Sequence, residues 1–294
     1  MDLTTLESFL TLARIGHMTR AAAELHLTQP AVSAQLQKLE EQLGYRLFDR
    51  TPKGMVLTRA GEVWRQHVEE SLAKLEDGKR ALSELAGLER GSLAIGGGAT
   101  ATTYLLPSLL GRFHNLYPSI QLFVREQGSQ SVLASVISGE LELGIVTLPV
   151  ALPSSNAAHL HIEEWVEDEL RLIVPKSHAL DGARSFRWEQ LDGEALVLFE
   201  AGSAVRRILD GSMAEAQIRT EIVMELRSIE SIKQMVRQGI GAAFVSRFAL
   251  SEPERGLVCK DGPLSRQLGL IWRTDRTMST ASRTFLDMCL EQRG

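Results

Sequence analysis

The 294 residues hold only two cysteines, Cys259 and Cys289, far apart and outside any C-x-x-C pair. Neither a disulfide framework nor a cysteine-based zinc site is implied. Both are expected as buried, unpaired thiols of a reducing compartment, with a redox-sensing pair as the alternative. No uninterrupted apolar run is long enough to cross a bilayer. The opening MDLTTLESFL carries an acid and lacks the basic and apolar stretches of a secretion signal, so a cytoplasmic protein is expected. The seven histidines include His159 and His161, but no His, Cys or Asp cluster has ligand spacing, and no metal site is expected. A Walker lysine, a G-x-S-x-G elbow and an H-E-x-x-H helix are all missing. Gly96-Gly97-Gly98 follows a strand-like run, yet the third glycine of a dinucleotide loop is replaced by Ala101. No acid lies about 20 residues on to hold a ribose. No cofactor is indicated, and an enzyme is disfavoured.

What the chain does have is local positive charge in an acidic whole. It carries 32 basic against 37 acidic residues, net −5. Between positions 46 and 65, Arg46, Arg50, Lys53, Arg59 and Arg65 face only Asp49 and Glu62, a local balance of five minus two. Just before this stretch lies a helix pair. Leu3, Leu6, Phe9, Leu10 and Ala13 recur at helical spacing, and Gly16 ends that first helix. Ala21, Ala22 and Leu25 give a short second helix whose alanines admit a close neighbour, with His26-Leu27 as the turn. Thr28 is a good N-cap, and Pro30 in the first turn costs no helical hydrogen bond. Val32, Leu36, Leu39 and Leu43 then line one face of a third helix that Gly44 stops. Gln29, Ala31, Ser33, Ala34, Gln35 and Lys38 are left for the other faces.

An ordinary helical hairpin with a polar outside would look similar. The basic hairpin that follows argues otherwise. Pro52-Lys53-Gly54 turns between Leu47-Phe48 and Val56-Leu57, which suits a β-wing beside a helix-turn-helix. Small polar side chains on the third helix suit base edges in a major groove, while Arg50 and Lys53 suit phosphates.

From about Thr58 to Leu88 there is no proline. Val68, Leu72, Leu75, Lys79, Leu82 and Ala86 alternate in steps of four and three, the seam of a coiled coil broken at Lys79. A dimerising linker helix is expected, and two readers on a two-fold axis would read an inverted repeat in double-stranded DNA. After Gly91 strands and helices alternate. Strands are predicted at Ser92–Gly96, Ser119–Arg125, Leu141–Val146, Leu170–Val174, Ala195–Leu198, Glu221–Glu225, Ala242–Val245 and Gln267–Trp272. Helices are predicted near Thr102–Leu116, Ser129–Ser138, Ala204–Ala216, Ile229–Gln238 and Thr280–Leu290. The alternation predicts parallel sheet with crossover helices in two similar halves, and a cleft between them.

Ligands of open α/β sheets sit beyond the carboxyl ends of strands, at helix N-termini. Thr100, Thr102 and Thr103 follow the first strand, Gly128 and Ser129 the second, and Thr147 the third. Ser203 opens a helix bearing Arg206 and Arg207. Hydroxyls converging on one gap suit a carboxylate or other anion. Met224 and Phe244 are weaker candidates for an apolar wall.

The run TRAAAELHLTQPAVSAQLQKLEEQLGYRLFDR, followed by GMVLTRAG, resembles the signature of the LysR-type transcriptional regulators almost position for position. The resemblance implies an N-terminal winged helix-turn-helix over 1–58, a linker helix over 59–90 and an α/β effector domain over 91–294. That domain would be periplasmic-binding-protein-like (type II), with lobe I near 91–162 and 266–294 and lobe II near 163–265. Recognition positions fall on Gln29, Pro30, Ala31, Ser33 and Gln35, with the wing arginine at Arg50. Pocket positions fall on Thr100, Thr102, Ser129, Thr147 and Ser203. A dimer or tetramer without membrane association is implied. Two residues depart from the pattern. His17 stands where a serine N-cap is common, which weakens the cap by roughly 1 kcal/mol, and Ala34 replaces a frequent arginine. A solute-binding transport protein would share the second fold, but the N-terminal reader and the lack of a secretion signal argue against it.

Overall fold

The computed structural model describes residues 2–52, 54–84, 91–152, 159–251 and 254–292. It divides into two compact units, Met1–Lys79 and Arg80–Gly294.

The first unit opens with α1 (Leu3–Ile15), whose N-cap Asp2 accepts from the Thr5 N–H at 2.8 Å and whose C-cap is Gly16 at φ 71°. Then come α2 (Met18–Glu24), α3 (Gln29–Leu43), β1 (Phe48–Thr51), β2 (Gly54–Leu57) and α4 (Arg59–Glu84). Phe9, Leu12, Ala21, Ala22, Val32, Leu36 and Leu39 form the core where α1, α2 and α3 meet. The alanines have no bulk to keep the helices apart, as their placement in the sequence predicts. Thr28 caps α3 by accepting from the Ala31 N–H, and Gly44 ends it in the left-handed region at φ 74°. His17 gives α2 no side-chain cap.

The wing is built onto this frame at two points. The Met55 N–H donates to the Gly16 carbonyl at 2.7 Å, and Glu40 of α3 accepts from the backbone of Leu47 and Phe48. Gly54 makes the first contact possible. It sits at φ 122°, and a Cβ there would lie 2.3 Å from the Gly16 oxygen. Of the predicted linker seam, Val68 and Leu72 pack onto the core beside Trp64. Leu75 and Leu82 are 50% and 70% exposed. The side chain of Lys79, and Ala86 altogether, lie outside the described residues, as does the helix end predicted near Leu88.

The second unit contains β3 (Gly91–Gly97), a π turn (Ala101–Leu105), α5 (Leu106–Leu116), β4 (Ile120–Glu126), α6 (Ser129–Ser138) and β5 (Leu143–Leu148). The long β6 (Leu160–Ile173) follows, then β7 (Ser185–Phe186), β8 (Ala195–Phe199), α7 (Ala204–Glu215) and β9 (Glu221–Leu226). The chain closes with α8 (Ile229–Arg237), β10 (Ala243–Ser246), β11 (Val258–Cys259), β12 (Ser265–Arg273) and α9 (Thr280–Glu291).

The sheet is not wholly parallel. Its order is β10-β6-β12-β5-β3-β4. β3 pairs parallel with β4 and β5, and β8 with β9, as the alternation predicts. β12 runs antiparallel to both β5 and β6, and β6 antiparallel to β10. The reason lies in β6 and β12, which pass between two cores. Trp165 and Val166 are buried with Leu93, Phe113 and Phe285, whereas Leu170 and Leu172 are buried with Leu196, Leu209 and Phe244. The crossing on β6 therefore falls between Val166 and Leu170, later in the chain than 162/163. The β6–β12 register shifts by a bulge at Leu268/Gly269, beside that crossing.

The first helix of the unit also differs from expectation, since it opens with a π turn before regular α5. Gly97 lets this turn approach β3, because a Cβ there would lie 3.0 Å from the Ala101 Cβ. Among the described residues no helix is long and apolar enough to cross a membrane.

Candidate functional site

The first unit presents one helix face beside one wing. Thr28, Gln29 and Pro30 at the start of α3 are exposed, Ala31 and Ser33 are half-buried, and Ala34 and Lys38 are exposed. Arg50 is exposed on β1, opposite Met55 of β2. Lys53 lies outside the described residues. Gln35 differs from its neighbours: its side-chain oxygen accepts from the buried Ser8 hydroxyl at 2.7 Å, tying α3 to α1. Half of its amide is thus spent inside the protein.

In the second unit a cavity of about 490 Å³ lies between the lobes, of a size for a small molecule. The carboxyl ends of β3, β4 and β8 open into it, so residues adjacent in space come from distant parts of the chain. Thr100, Ser129, Thr147 and Ser203 all line it, with Arg207, Arg227 and Arg266. Thr102 does not. Its hydroxyl donates to Glu126 at 2.8 Å and lies near the Gly98 and Ala99 carbonyls, behind the lining. Met224 and Phe244 are not brought there either. Met224 packs against the core of the second lobe, and Phe244 is buried there against Phe186 and Trp188. Both side chains turn into the core of that lobe, where an apolar residue loses more water than at a cavity wall.

The floor is formed by Arg266, which spacing did not single out. Its guanidinium donates to Asp168 at 2.9 Å, to the Thr100 hydroxyl at 2.7 Å and to Thr147 at 3.3 Å. Asp168 has no solvent exposure and also accepts from Ser246 at 2.7 Å. Two crossing strands and both lobes are joined in this one network.

The four hydroxyls share a directional property. Thr100 and Thr147 accept from Arg266, Ser129 accepts from the Thr147 N–H at 3.0 Å, and Ser203 accepts from the Arg206 N–H at 3.1 Å. Each oxygen is held by the protein, and among the described residues none of the four donates, which leaves its proton for a ligand. Gly128 precedes α6 and offers no capping side chain, so among the described residues the start of that helix has no side-chain cap. Arg206 and Arg207 divide their work. Arg206 is buried and donates to Glu225, Asp210 and the Phe199 carbonyl. Glu225 first and Asp210 second raise its pKa further. Arg207 is exposed at the cavity, and among the described residues its side chain has no partner. Arg227 is paired with Glu200.

Comparison with known proteins decides the family. Residues 3–62 match the model of the bacterial regulatory helix-turn-helix protein, lysR family, and residues 86–294 match the LysR substrate binding domain. The chain belongs to the LysR family of transcriptional regulators. It is a DNA-binding regulator with an effector-binding domain, not an enzyme. This LysR-type regulator is 35% identical over 291 residues to the "Probable RuBisCO transcriptional regulator" of Porphyra purpurea, covering 96% of this chain and 91% of that one. Full-length CbnR complexed with its target DNA is similar in fold, with a TM-score of 0.66, 20% identity and all of both chains covered. The regulatory domain of Synechocystis PCC6803 CcmR, solved in complex with 2-PG, matches 69% of this regulator and 98% of that chain, with a TM-score of 0.61 and 23% identity.

The cysteines of this LysR-type regulator are both buried and free, Cys259 in the second lobe and Cys289 in α9. Burial pushes the Cys289 thiol up to about 12 and raises Cys259 in the same direction. Among the described residues no group of three His, Cys, Asp or Glu side chains could hold a metal.

Proposed function

We propose that this regulator responds to a small anionic effector, a carboxylate or another oxyanion, held between the lobes by Thr100, Ser129, Thr147 and Ser203. The observation that carries this is the common direction of the four hydroxyls, each accepting from the protein and keeping its proton for a ligand. The uncapped start of α6 and Arg207, without a side-chain partner among the described residues, add positive potential. Arg266 is the floor that orients Thr100 and Thr147. In the reader, Gln29, Pro30, Ala31 and Ser33 read base edges, while Thr28, Lys38, Arg50 and Lys53 position the protein on phosphates. Gln35 supports them from behind. The exposed Leu75 and Leu82 of α4 suit a two-fold pairing of chains on an inverted repeat, as a dimer or tetramer in the cytoplasm. Effector binding shifts the population of lobe arrangements, and this changes how the dimers sit on DNA.

The test is a thermal-shift screen of the full-length protein against small carboxylates, inorganic phosphate and 2-PG. A true effector raises the melting temperature, and the rise grows with the logarithm of ligand concentration over Kd. Ser129→Ala and Arg207→Ala should each abolish most of that rise. If neutral analogues stabilise the protein as well as anions do, the anionic reading is wrong.

A further inference from the structure

Outside the cavity, one side chain of the first lobe reaches into the second. Tyr104 sits on the π turn, yet its ring packs against the core built around Leu196 and Phe244. Its hydroxyl donates to Glu230 of α8 at 2.6 Å, across 126 positions of sequence. The acceptor is set in place independently of the tyrosine. Lys233, one turn on, is buried, lies 3.3 Å from the Glu230 carboxylate and donates to the Ala249 carbonyl at 2.6 Å. The π turn itself lies against the 3-10 turn Arg247–Ala249. Three elements thus converge on a single hydrogen bond between lobes.

We infer that Tyr104 and Glu230 form a clasp that holds the two lobes in the arrangement described here. This inference is independent of what the cavity binds, since neither residue lines it. The Asp168–Arg266 pair and the Tyr104–Glu230 bond, two of the contacts between the lobes, differ in their ability to open. Asp168 and Arg266 lie in the interior on paired strands, so separating them would strand a buried charge. Tyr104 and Glu230 are both partly exposed, and water can replace each partner when they part. Opening the clasp leaves no orphaned group, because Lys233 keeps the Ala249 carbonyl. The wide π turn is a usual place for such a functional irregularity, since it rotates the residues after it away from the regular helical positions. A hydrogen bond to a charged acceptor is strong enough to bias a two-state equilibrium about ten-fold while leaving it reversible. Tyr104 and Glu230 are therefore positioning residues. They set how often the lobes are ready for a ligand, without touching one.

The test measures the distance between lobes in the full-length protein. Spin labels at Arg112→Cys on α5 and Glu215→Cys on α7, both exposed positions, report it by pulsed dipolar spectroscopy, with labelled chains diluted into unlabelled ones. The intact clasp should give one dominant distance. Tyr104→Phe keeps the ring and removes the donor, and should raise the minor population about ten-fold. Glu230→Gln keeps an acceptor oxygen but not its charge and should fall between the unmodified distribution and that of Glu230→Ala, which should match Tyr104→Phe. An unchanged distribution in Tyr104→Phe would overturn the clasp. So would Glu230→Ala keeping the unmodified distribution, because Glu230 would then hold nothing across the lobes.

Discussion

Replacing Arg266 with methionine is the perturbation with the largest expected effect in this regulator. The methionine fills part of the volume and removes every donor. Asp168, with no solvent exposure, would keep only the Ser246 hydroxyl, and Thr100 and Thr147 would lose the group that orients them. Removing one partner of a buried ion pair costs about 3–5 kcal/mol, because the remaining charge is uncompensated. For a unit of about 150–250 residues each kcal/mol is worth roughly 2–4 °C, which places the melting shift of the effector unit near 6–20 °C. Urea unfolding of the full-length protein, followed by tryptophan fluorescence, is a suitable assay. Three of the four tryptophans, Trp165, Trp188 and Trp272, belong to that unit. Adding Asp168→Asn to Arg266→Met removes the stranded charge and should recover more than half of the loss. A cost below about 1 kcal/mol for Arg266→Met would refute the view that a dehydrated ion pair joins the crossing strands. Failure of the second substitution to recover stability would refute the charge argument and leave only packing.

Four further outcomes are expected. Gln29→Ala or Ser33→Ala should lose about 1–3 kcal/mol of discrimination between the operator and altered sites. Arg50→Ala should weaken specific and random DNA alike and flatten the salt dependence by about one unit of slope in a binding titration. Gly54→Ala, strained at φ 122° and brought within 2.3 Å of the Gly16 oxygen, should detach the wing and lower DNA affinity, with the fold of the second unit unchanged by calorimetry. With the Cys289 thiol pushed to about 12, its thiolate is a negligible fraction at neutral pH. A disulfide-exchange reagent should therefore titrate neither cysteine in the native protein and both in urea, and rapid native reaction of Cys289 would contradict its burial.

Much of this was legible in the chain because each element carried its own local signal. Thr28 and Pro30 mark the start of α3, Gly16 and Gly44 mark two helix ends, and Ser129–Ser138 is bounded by glycines at both sides. These are backbone requirements of single residues, and tertiary context did not alter them. The antiparallel crossings were not legible. Period-two burial looks the same whichever way the neighbouring strand runs, and the acidic face of β6 hid Asp168 among Glu163, Glu164, Glu167 and Glu169. Arg266 lies near the start of an apolar strand, where an arginine usually turns outward. Only the arrival of β6 beside β12 gives it a partner. Thr102, Met224 and Phe244 were chosen by strand-end position alone. A residue's distance from a strand end does not say which way its side chain turns, and Gln35 shows the same limit on a helix.

The two lobes of this regulator are joined through a hydrogen-bonded ribbon, β6 against β12. A loop hinge lets two bodies swing apart with little effect inside either one. A ribbon of paired strands resists such swinging and yields most readily by changing its twist, and the bulge at Leu268/Gly269 is where extra twist is already concentrated. Motion of one lobe would therefore be a screw-like rotation about the strands, small at the cavity and larger at the outer faces. A signal carried this way needs no segment to unfold. It is read far from the ligand as a change of angle, by whatever surfaces lie at the end of the longest radius.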